Sequence, residues 1–402
     1  MNLWIDTSRV DGAQALFGVP ALQRLERTVS KPAPHFEVTL SGTTSDRTAW
    51  PGARREVSSD ALGARLRRAL SRGPVVALDG ADAIDPRLVD FLFKSARPCL
   101  ASRGSGAQRA VALRLDQSLA EAIPENAPTL KDVADALLAA GRIAPLDEAE
   151  FPAYVNKLRR SLPYWIYAVP DAGTRRRLER QMFLDNYKGS TDLLTRYVFP
   201  PLVWPMTLFC TRWHIHPNVV TVLSIVLAFA AVPLFAQGSF LAGFACAYGM
   251  SVLDSVDGKV ARLTLTDSAI GNVLDHGLDL VHPPFWYFAW AWGLGAHAPS
   301  DPLYQAAIWL IVFYFGDRIV LGIVRHRLGF ALHAATRLDG QVRSYIARRN
   351  ITMTIMALAL LAGAGPAGLY IVTAWQGITF AWHSARTAWL GFLSPRQARP
   401  NA

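Results

Sequence analysis

What this 402-residue chain lacks is cationic charge over long distances. No Lys or Arg occurs between Trp213 and Gly258, between Leu263 and Asp317, or between Asn350 and Ala385. Gaps of that length argue against an ordinary water-exposed surface over the second half. They leave room for apolar spans of ~20 residues, the length a ~30 Å hydrocarbon core requires. Cysteine is scarce as well: Cys99, Cys210 and Cys246 are odd in number and widely spaced. That argues against a disulfide framework or a CxxC metal site and for small buried apolar residues. The N-terminus, MNLWIDTSRVDG, turns polar after five residues, so no cleaved signal peptide is expected. Internal repeats and long low-complexity tracts are missing too. Acidic residues are outnumbered, 31 against 41 basic ones, for a formal charge of +10. A basic balance suits nucleic acid or anionic lipid; the apolar runs decide for a lipid bilayer and against nucleic acid.

Six apolar stretches are present, at about 218–236, 239–257, 271–296, 303–325, 350–365 and 367–388. They predict an all-α, six-helix transmembrane bundle over residues 218–395. The short turns around Gln237, Pro299 and Gly365 carry no Lys or Arg, whereas the alternate segments carry Arg212, Lys259, Arg262, Arg325, Arg343 and Arg348. By the positive-inside pattern both termini face the cytoplasm. The expectation is a multi-pass protein, of a bacterial inner membrane.

Residues 1–173 read differently. Leu3-Trp4-Ile5 and Val75-Val76-Ala77-Leu78 are short apolar runs ending in Asp6 and Asp79. Helical patterns separate and follow them, at Pro20–Val29, Ser59–Leu70 and Thr129–Ala140. Thr129 with Asp132 three residues on is close to a capping box. Strands alternating with helices predict a cytoplasmic α/β layer domain. Residues 174–217 are expected to connect the two parts as an amphipathic juxtamembrane segment. Its Leu193, Leu194, Tyr197 and Val198 would form one face, and Lys188, Asp192 and Arg196 the other. His214 and His216 are expected to anchor at the interface rather than hold a metal.

The stretch with the most chemistry is 254–279, DSVDGKVARLTLTDSAIGNVLDHGLD. Asp254 and Asp257 are three apart, and Asp275 and Asp279 are four apart, so on helices each pair shares a face. Carboxylates at membrane depth cost about 2.5–3.5 kcal/mol each on insertion scales and are rare there unless functional. Four near one another would repel unless cations lay between them. Oxygen-only donors suit hard divalent ions, Mg²⁺ or Mn²⁺. Asp267, between the pairs, reads as part of a connecting loop.

The order Asp254-x2-Asp257-Gly258-x2-Ala261-Arg262-x8-Gly271-x3-Asp275-x3-Asp279 resembles the signature of the CDP-alcohol phosphatidyltransferase family in every identity and spacing. Pro217-Asn218-x2-Thr221 resembles that family's approach to the first span. The resemblance implies a transferase that moves a phosphoalcohol, such as a phosphatidyl group, from a CDP-linked donor to an alcohol and releases CMP. It implies two divalent cations, Mg²⁺ or Mn²⁺, held by Asp254, Asp257, Asp275 and Asp279, with Asp279 also the general base. It places Asn218, Thr221, Gly258, Ala261, Arg262 and Gly271 on the nucleotide side, and it implies a homodimer. A purely capping role for Asn218 competes with the nucleotide one. Donor and acceptor stay open: CDP-diacylglycerol or another CDP-alcohol, and a hydroxyl acceptor such as a polyol or inositol phosphate.

Arg318, Arg343 and Arg348 are the acceptor-side candidates. For Arg318, beside Asp317 in an apolar span, a pair forced together by depth competes equally with a phosphate contact. For the basic loop 325–349, a topology-setting charge run is the competing reading.

The N-terminal part resembles a reduced sugar-nucleotidyltransferase domain, through Leu16–Pro20, Val75–Pro86 (VVALDGADAIDP) and Pro163-Tyr164-Trp165. Asp79 would stand at that family's metal position. The segment after the first strand, TSRVDGAQALFG, lacks the glycine-rich basic loop that cradles a triphosphate, so the domain is expected to be inactive. Two alternatives remain: a bifunctional enzyme that also makes its CDP donor, and a non-enzymatic transporter or scaffold.

Overall fold

The computed structural model describes residues 1–29, 37–42, 50–155, 158, 160–189 and 191–392; the side chains at 107, 269–270, 272–276, 278–279, 328 and 391–392 are outside the description. The chain divides into two compact units. One is built mainly from Met1–Val155 and Ser161–Asp185, the other mainly from Asn186–Arg262 and Thr266–Ala402.

The first unit is an α/β layer structure. Its first eight strands are β1 (Asn2–Asp6), β2 (Val38–Gly42), β3 (Arg54–Val57), β4 (Val75–Asp79), β5 (Ala83–Ile84), which pairs with Ile166–Tyr167, β6 (Cys99–Arg103), β7 (Ala110–Leu115) and β8 (Ala144–Pro145). All but β5 form one seven-stranded sheet, in the order β3-β2-β1-β4-β7-β6-β8. β1 to β4 run parallel, and β7 is antiparallel to both β4 and β6. A strand covered on both faces needs apolar side chains at every position; that is why Leu3-Trp4-Ile5 and Val75–Leu78 are unbroken apolar runs.

The faces separate by alternation. Leu3, Ile5, Val76 and Leu78 pack with Leu22 and Leu25 of α1 (Ala21–Val29) and with Leu88 and Leu92 of α3 (Pro86–Lys94). Trp4, Val75 and Ala77 pack with Leu62 and Leu66 of α2 (Leu62–Leu70) and with Val133 and Leu137 of α4 (Leu130–Ala139). The sequence-level capping box is present: Thr129 Oγ1 accepts from the Asp132 amide, and the Asp132 carboxylate accepts from the Thr129 amide. Asp85 caps α3 by accepting from the Arg87 amide at 2.9 Å, with Pro86 at the first helical position. The charged run beginning at Thr174 belongs to α5 (Ala172–Asp185), which buries Leu178, Met182 and Phe183.

The second unit is helical. After a single π-helical turn at Leu194–Val198 come α6 (Pro200–Arg212), α7 (Pro217–Ala236), α8 (Phe240–Leu263), α9 (Ala269–Gly293), α10 (Pro302–Leu328), α11 (Arg337–Val342), α12 (Arg349–Leu361) and α13 (Gly365–Phe392). His216 caps α7 through Nδ1, which accepts from the Asn218 amide at 3.2 Å. Capping therefore falls to the histidine and not to Asn218. α9 continues through Pro283 and Pro284.

Buried polar tips tie the helices together. Trp286 Nε1 donates to the Ala228 carbonyl at 2.7 Å, Tyr314 Oη donates to the Leu280 carbonyl at 3.2 Å, and Tyr248 Oη meets Thr354 Oγ1 at 2.9 Å. Phe235, Phe244, Trp286, Trp290, Met353 and Met356 fill the space between. Outward faces are apolar at helical spacing: Val219, Val222, Leu223 and Val226 on α7, and Ile308, Val312, Phe315, Ile319 and Ile323 on α10, are all exposed. Among the described residues two helices, Pro217–Ala236 and Pro302–Arg327, are long and apolar enough to cross a membrane.

Candidate functional site

The site grows from the last turns of α8. Apolar sequence stops near Asp257, yet the backbone stays helical to Leu263, so Asp254, Asp257, Gly258, Ala261 and Arg262 sit on consecutive turns of one rigid element. Asp257 is buried. Its Oδ2 accepts from Thr221 Oγ1 of α7 at 2.6 Å, and its Oδ1 accepts from the Gly258 amide at 2.5 Å. Asp254 Oδ2 accepts from Arg349 Nη2, at the start of α12, at 2.7 Å. Both carboxylates thus offer oxygen donors of the kind hard divalent cations take. Asp275 and Asp279 lie on α9, but their side chains are outside the described residues. Among the described residues no group of three His, Cys, Asp or Glu side chains converges as a metal site.

Two hollows flank this end of α8. The smaller, about 60 Å³, is lined by Asn218 and Thr221 of α7, by Asp257, Gly258, Ala261 and Arg262 of α8, and by Gly271 of α9. All the nucleotide-side candidates of the sequence are therefore together, and Asp267 lines the same hollow. Glycine is needed at two of these positions. A Cβ at Gly258 would lie 3.1 Å from Arg262 Nη1; one at Gly271 would lie 2.9 Å from Ser268 Oγ and 3.0 Å from Asn218 Oδ1. Ser268, unremarked in the sequence, caps α9 by accepting from the Gly271 amide and donates to Asn218 Oδ1 at 3.5 Å.

The larger hollow, about 150 Å³, shares Gly258 and Arg262 with the first. Its titratable lining is six basic side chains, Lys188, Lys259, Arg262, Arg343, Arg348 and Arg349, against Asp192 and Asp254, with burial lowering the Lys259 amine to about 6. The Lys259 ammonium stands 3.1 Å from the centroid of the Tyr187 ring, a cation–π contact. Arg262 Nε donates to Asn186 Oδ1 at 2.5 Å. Asp192 is buried; it accepts from the Thr195 amide at 3.0 Å and from Asn350 Nδ2 at 3.3 Å, and Arg348 Nη1 lies 3.7 Å away. Burial pushes the Asp192 carboxyl up, but the Arg348 charge and the hydrogen bonds from Thr195 and Asn350 outweigh it and hold the group below its usual value.

Of the three acceptor-side candidates, Arg343 and Arg348 line this hollow and Arg318 does not. The Arg318 guanidinium lies over the Tyr314 ring at 5.0 Å. Its sequence neighbour Asp317 is paired instead with His383 Nδ1, at 2.5 Å. Sequence reasoning missed Asn186, Tyr187, Asp192, Lys259, Arg349 and Asn350 as a group. The only signal was the density of cations around 343–349.

In the first unit, Asp79 Oδ2 accepts from Arg9 Nη1 at 2.7 Å and its Oδ1 accepts from the Ala81 amide. Both Asp79 and the nearby Asp82 are pushed above the usual carboxylate range, chiefly by burial. Neither oxygen of Asp82 has a hydrogen-bond partner.

Residues 214–388 match the model of the CDP-alcohol phosphatidyltransferase family. The match spans somewhat less than half of the chain. The nucleotidyltransferase resemblance of residues 1–173 lies outside the matched span and is not confirmed. An uncharacterized CDP-alcohol phosphatidyltransferase class-I family protein of Schizosaccharomyces pombe is 28% identical over 120 residues, 25% of this chain and 30% of that protein. The chain thus spans about a third of the length of the curated relative it matches. Crystal structures of Mycobacterium tuberculosis phosphatidylinositol phosphate synthase are also similar. The form with CDP-DAG bound is 19% identical, with a TM-score of 0.38 over 46% of this chain and 94% of that one. The complex with manganese and citrate is 20% identical, with a TM-score of 0.38 over 46% and 88%.

Proposed function

We propose that the protein is a multi-pass membrane transferase, dependent on divalent metal, that moves a phosphoalcohol group from a CDP-linked donor to the hydroxyl of an anionic acceptor and releases CMP. One observation carries this reading. The aspartate motif of a CDP-alcohol phosphatidyltransferase ends a helix between two hollows, and the hollow away from the nucleotide-side residues is strongly cationic. A neutral alcohol has no use for four arginines and a lysine around one hollow; a phosphomonoester does. The apolar outer faces of α7 and α10 suit acyl chains, so a lipid donor such as CDP-diacylglycerol reaches the site without leaving the bilayer. The same reading keeps six spans, cytoplasmic termini and a dimer.

In this reading Asn218, Thr221 and Gly271 border the cytidine end of the donor. Asp254, Asp257, Asp275 and Asp279 hold Mg²⁺ or Mn²⁺, which when bound neutralises the diphosphate and stabilises charge on the leaving CMP. Thr221 and the Gly258 amide fix the Asp257 oxygens, and Arg349 fixes Asp254. Asp279 takes the proton of the acceptor hydroxyl. That oxygen forms the new bond to the phosphorus bearing the alcohol; the bond from this phosphorus to the CMP oxygen breaks, and CMP leaves with the electron pair. Lys259, Arg343 and Arg348 hold the acceptor's phosphate.

The test is a panel. Purified full-length protein in lipid nanodiscs is given CDP-diacylglycerol or another CDP-alcohol, Mg²⁺ or Mn²⁺, and neutral or phosphorylated polyols. CMP release and product mass are read together. Metal-dependent CMP release with a phosphorylated acceptor is expected. Absence of release with every pair would overturn the reading.

A further inference from the structure

The family match begins at residue 214, yet much of the wall of the cationic hollow comes from before it. Asn186, Tyr187, Lys188, Asp192 and Thr195 all line it. Two of these side chains touch the cations that face the hollow. Asn186 Oδ1 takes the Arg262 Nε proton at 2.5 Å. This turns the Nη edge of Arg262 toward Gly258, where a Cβ would stand 3.1 Å from Nη1. Asp192 works at the opposite side. Its carboxylate is 3% exposed and lies 3.7 Å from Arg348 Nη1, and it accepts from Asn350 Nδ2.

The remaining capacity of Asp192 is used by Thr195, through its amide at 3.0 Å and its hydroxyl at 3.0–3.1 Å. Asp192 is therefore not a free acceptor for a sugar hydroxyl. Its oxygens are spent on orienting neighbours. A long arginine keeps a single geometry only when something fixes it, since both ends of its stem rotate freely otherwise. Here Asn186 and Asp192, which meet two arginines lining one hollow, come from a single short stretch of sequence.

We propose that the segment from Asn186 to Thr195 is the positioning element for the acceptor: Asn186 sets Arg262, Asp192 sets Arg348 and Asn350, and together they determine how tightly the anionic acceptor is held. This rests on the reading of the cationic hollow as the acceptor's place. Asn186 and Asp192 are positioning residues, acting through the arginines and not on the reacting atoms. The segment lies outside the family-matched span, so it is a place where acceptor selection belongs to this chain rather than to the shared domain.

Asn186→Ala and the near-isosteric Asp192→Asn test this in the full-length protein in nanodiscs, with CDP-diacylglycerol as donor. The probes are sn-glycerol 3-phosphate and myo-inositol 1-phosphate as acceptors and inorganic phosphate as a non-reacting competitor. Asn186→Ala is expected to raise the acceptor KM and the phosphate inhibition constant about tenfold, the scale of one hydrogen bond to a charged group, and Asp192→Asn, whose ion pair with Arg348 is 3.7 Å long, about threefold. In Asp192→Asn the donor KM stays unchanged; in Asn186→Ala it rises with that of the acceptor, because Arg262 borders both hollows; kcat stays within about threefold in both. A fall in kcat together with weakening of both substrates marks general damage and overturns the proposal, as do unchanged acceptor KM values in both variants. Wild-type protein that transfers only to neutral alcohols and ignores inorganic phosphate overturns the acceptor reading itself; wild-type protein that responds to phosphate while both variants match it overturns the positioning role alone.

Discussion

Buried acids occur in both units, and an arginine holds some of them in each, as Arg386 holds Asp339 at 2.8 Å in the helical unit; Asp257 is handled differently. In the sheet unit Asp6 is held by Arg65 at 3.0 Å, Asp79 by Arg9 at 2.7 Å and Asp85 by Arg87 at 2.6 Å. Asp82 is the exception, with no partner for either oxygen. In the helical unit Asp257 is fixed by a hydroxyl and an amide, neutral donors that orient a carboxylate without neutralising it. Asp79, closed by Arg9, already faces a cation. An acid oriented by neutral dipoles keeps its charge available for an incoming cation.

The sharpest way to break this contrast is to remove the same charge on both sides. Asp257→Asn should lower metal-dependent CMP release about 10³-fold, the scale of losing a central electrostatic group. Asp79→Asn should leave it within about twofold. Equal losses would mean that the sheet unit also takes part in the chemistry. Next in size, Asp279→Asn should cost about 10²–10⁴-fold as the loss of a general base, with the fold kept by circular dichroism. Full activity would remove that assignment.

Smaller effects sharpen the comparison. Thr221→Val removes the hydroxyl that orients Asp257 and should raise the Mg²⁺ concentration needed for half-maximal rate about tenfold or more, as loss of an outer-shell partner does; a metal titration reads it. The smallest effect concerns stability. Burial raises the Asp82 carboxyl well above its usual value. The folded chain therefore holds a proton that the unfolded chain has already released, and stability falls as pH rises from the ordinary carboxylate range through the raised value. Asp82→Asn should raise the midpoint of thermal unfolding at pH 7 and change it little at pH 4. An equal shift at both pH values would show that charge is not the cause.

Much of the site was legible because it is local. The spacing of Asp254, Asp257, Gly258, Ala261 and Arg262 needs only a helix to place those residues together, and the apolar strands of the sheet unit announce themselves by having no polar face. The apolar stretch ends near Asp257 while α8 runs on to Leu263, because hydropathy marks where side chains stop being apolar and not where backbone hydrogen bonding stops. The cationic hollow was not legible as a whole. Asp192 and Asn350 are 158 positions apart, and no periodicity links such a pair. Arg318 misled for the converse reason: adjacency to Asp317 suggested a pair, but successive helical residues point apart, and Asp317 found His383 on α13 instead.

Arg262 borders both hollows. In the proposed reading donor and acceptor both meet this side chain, and the first to arrive removes whatever freedom Asn186 leaves it. The two binding steps are then thermodynamically linked, and linkage is reciprocal: if the donor tightens the acceptor by some factor, the acceptor must tighten the donor by the same factor. A single shared arginine would thus make the ternary complex cooperative without any movement of the helices.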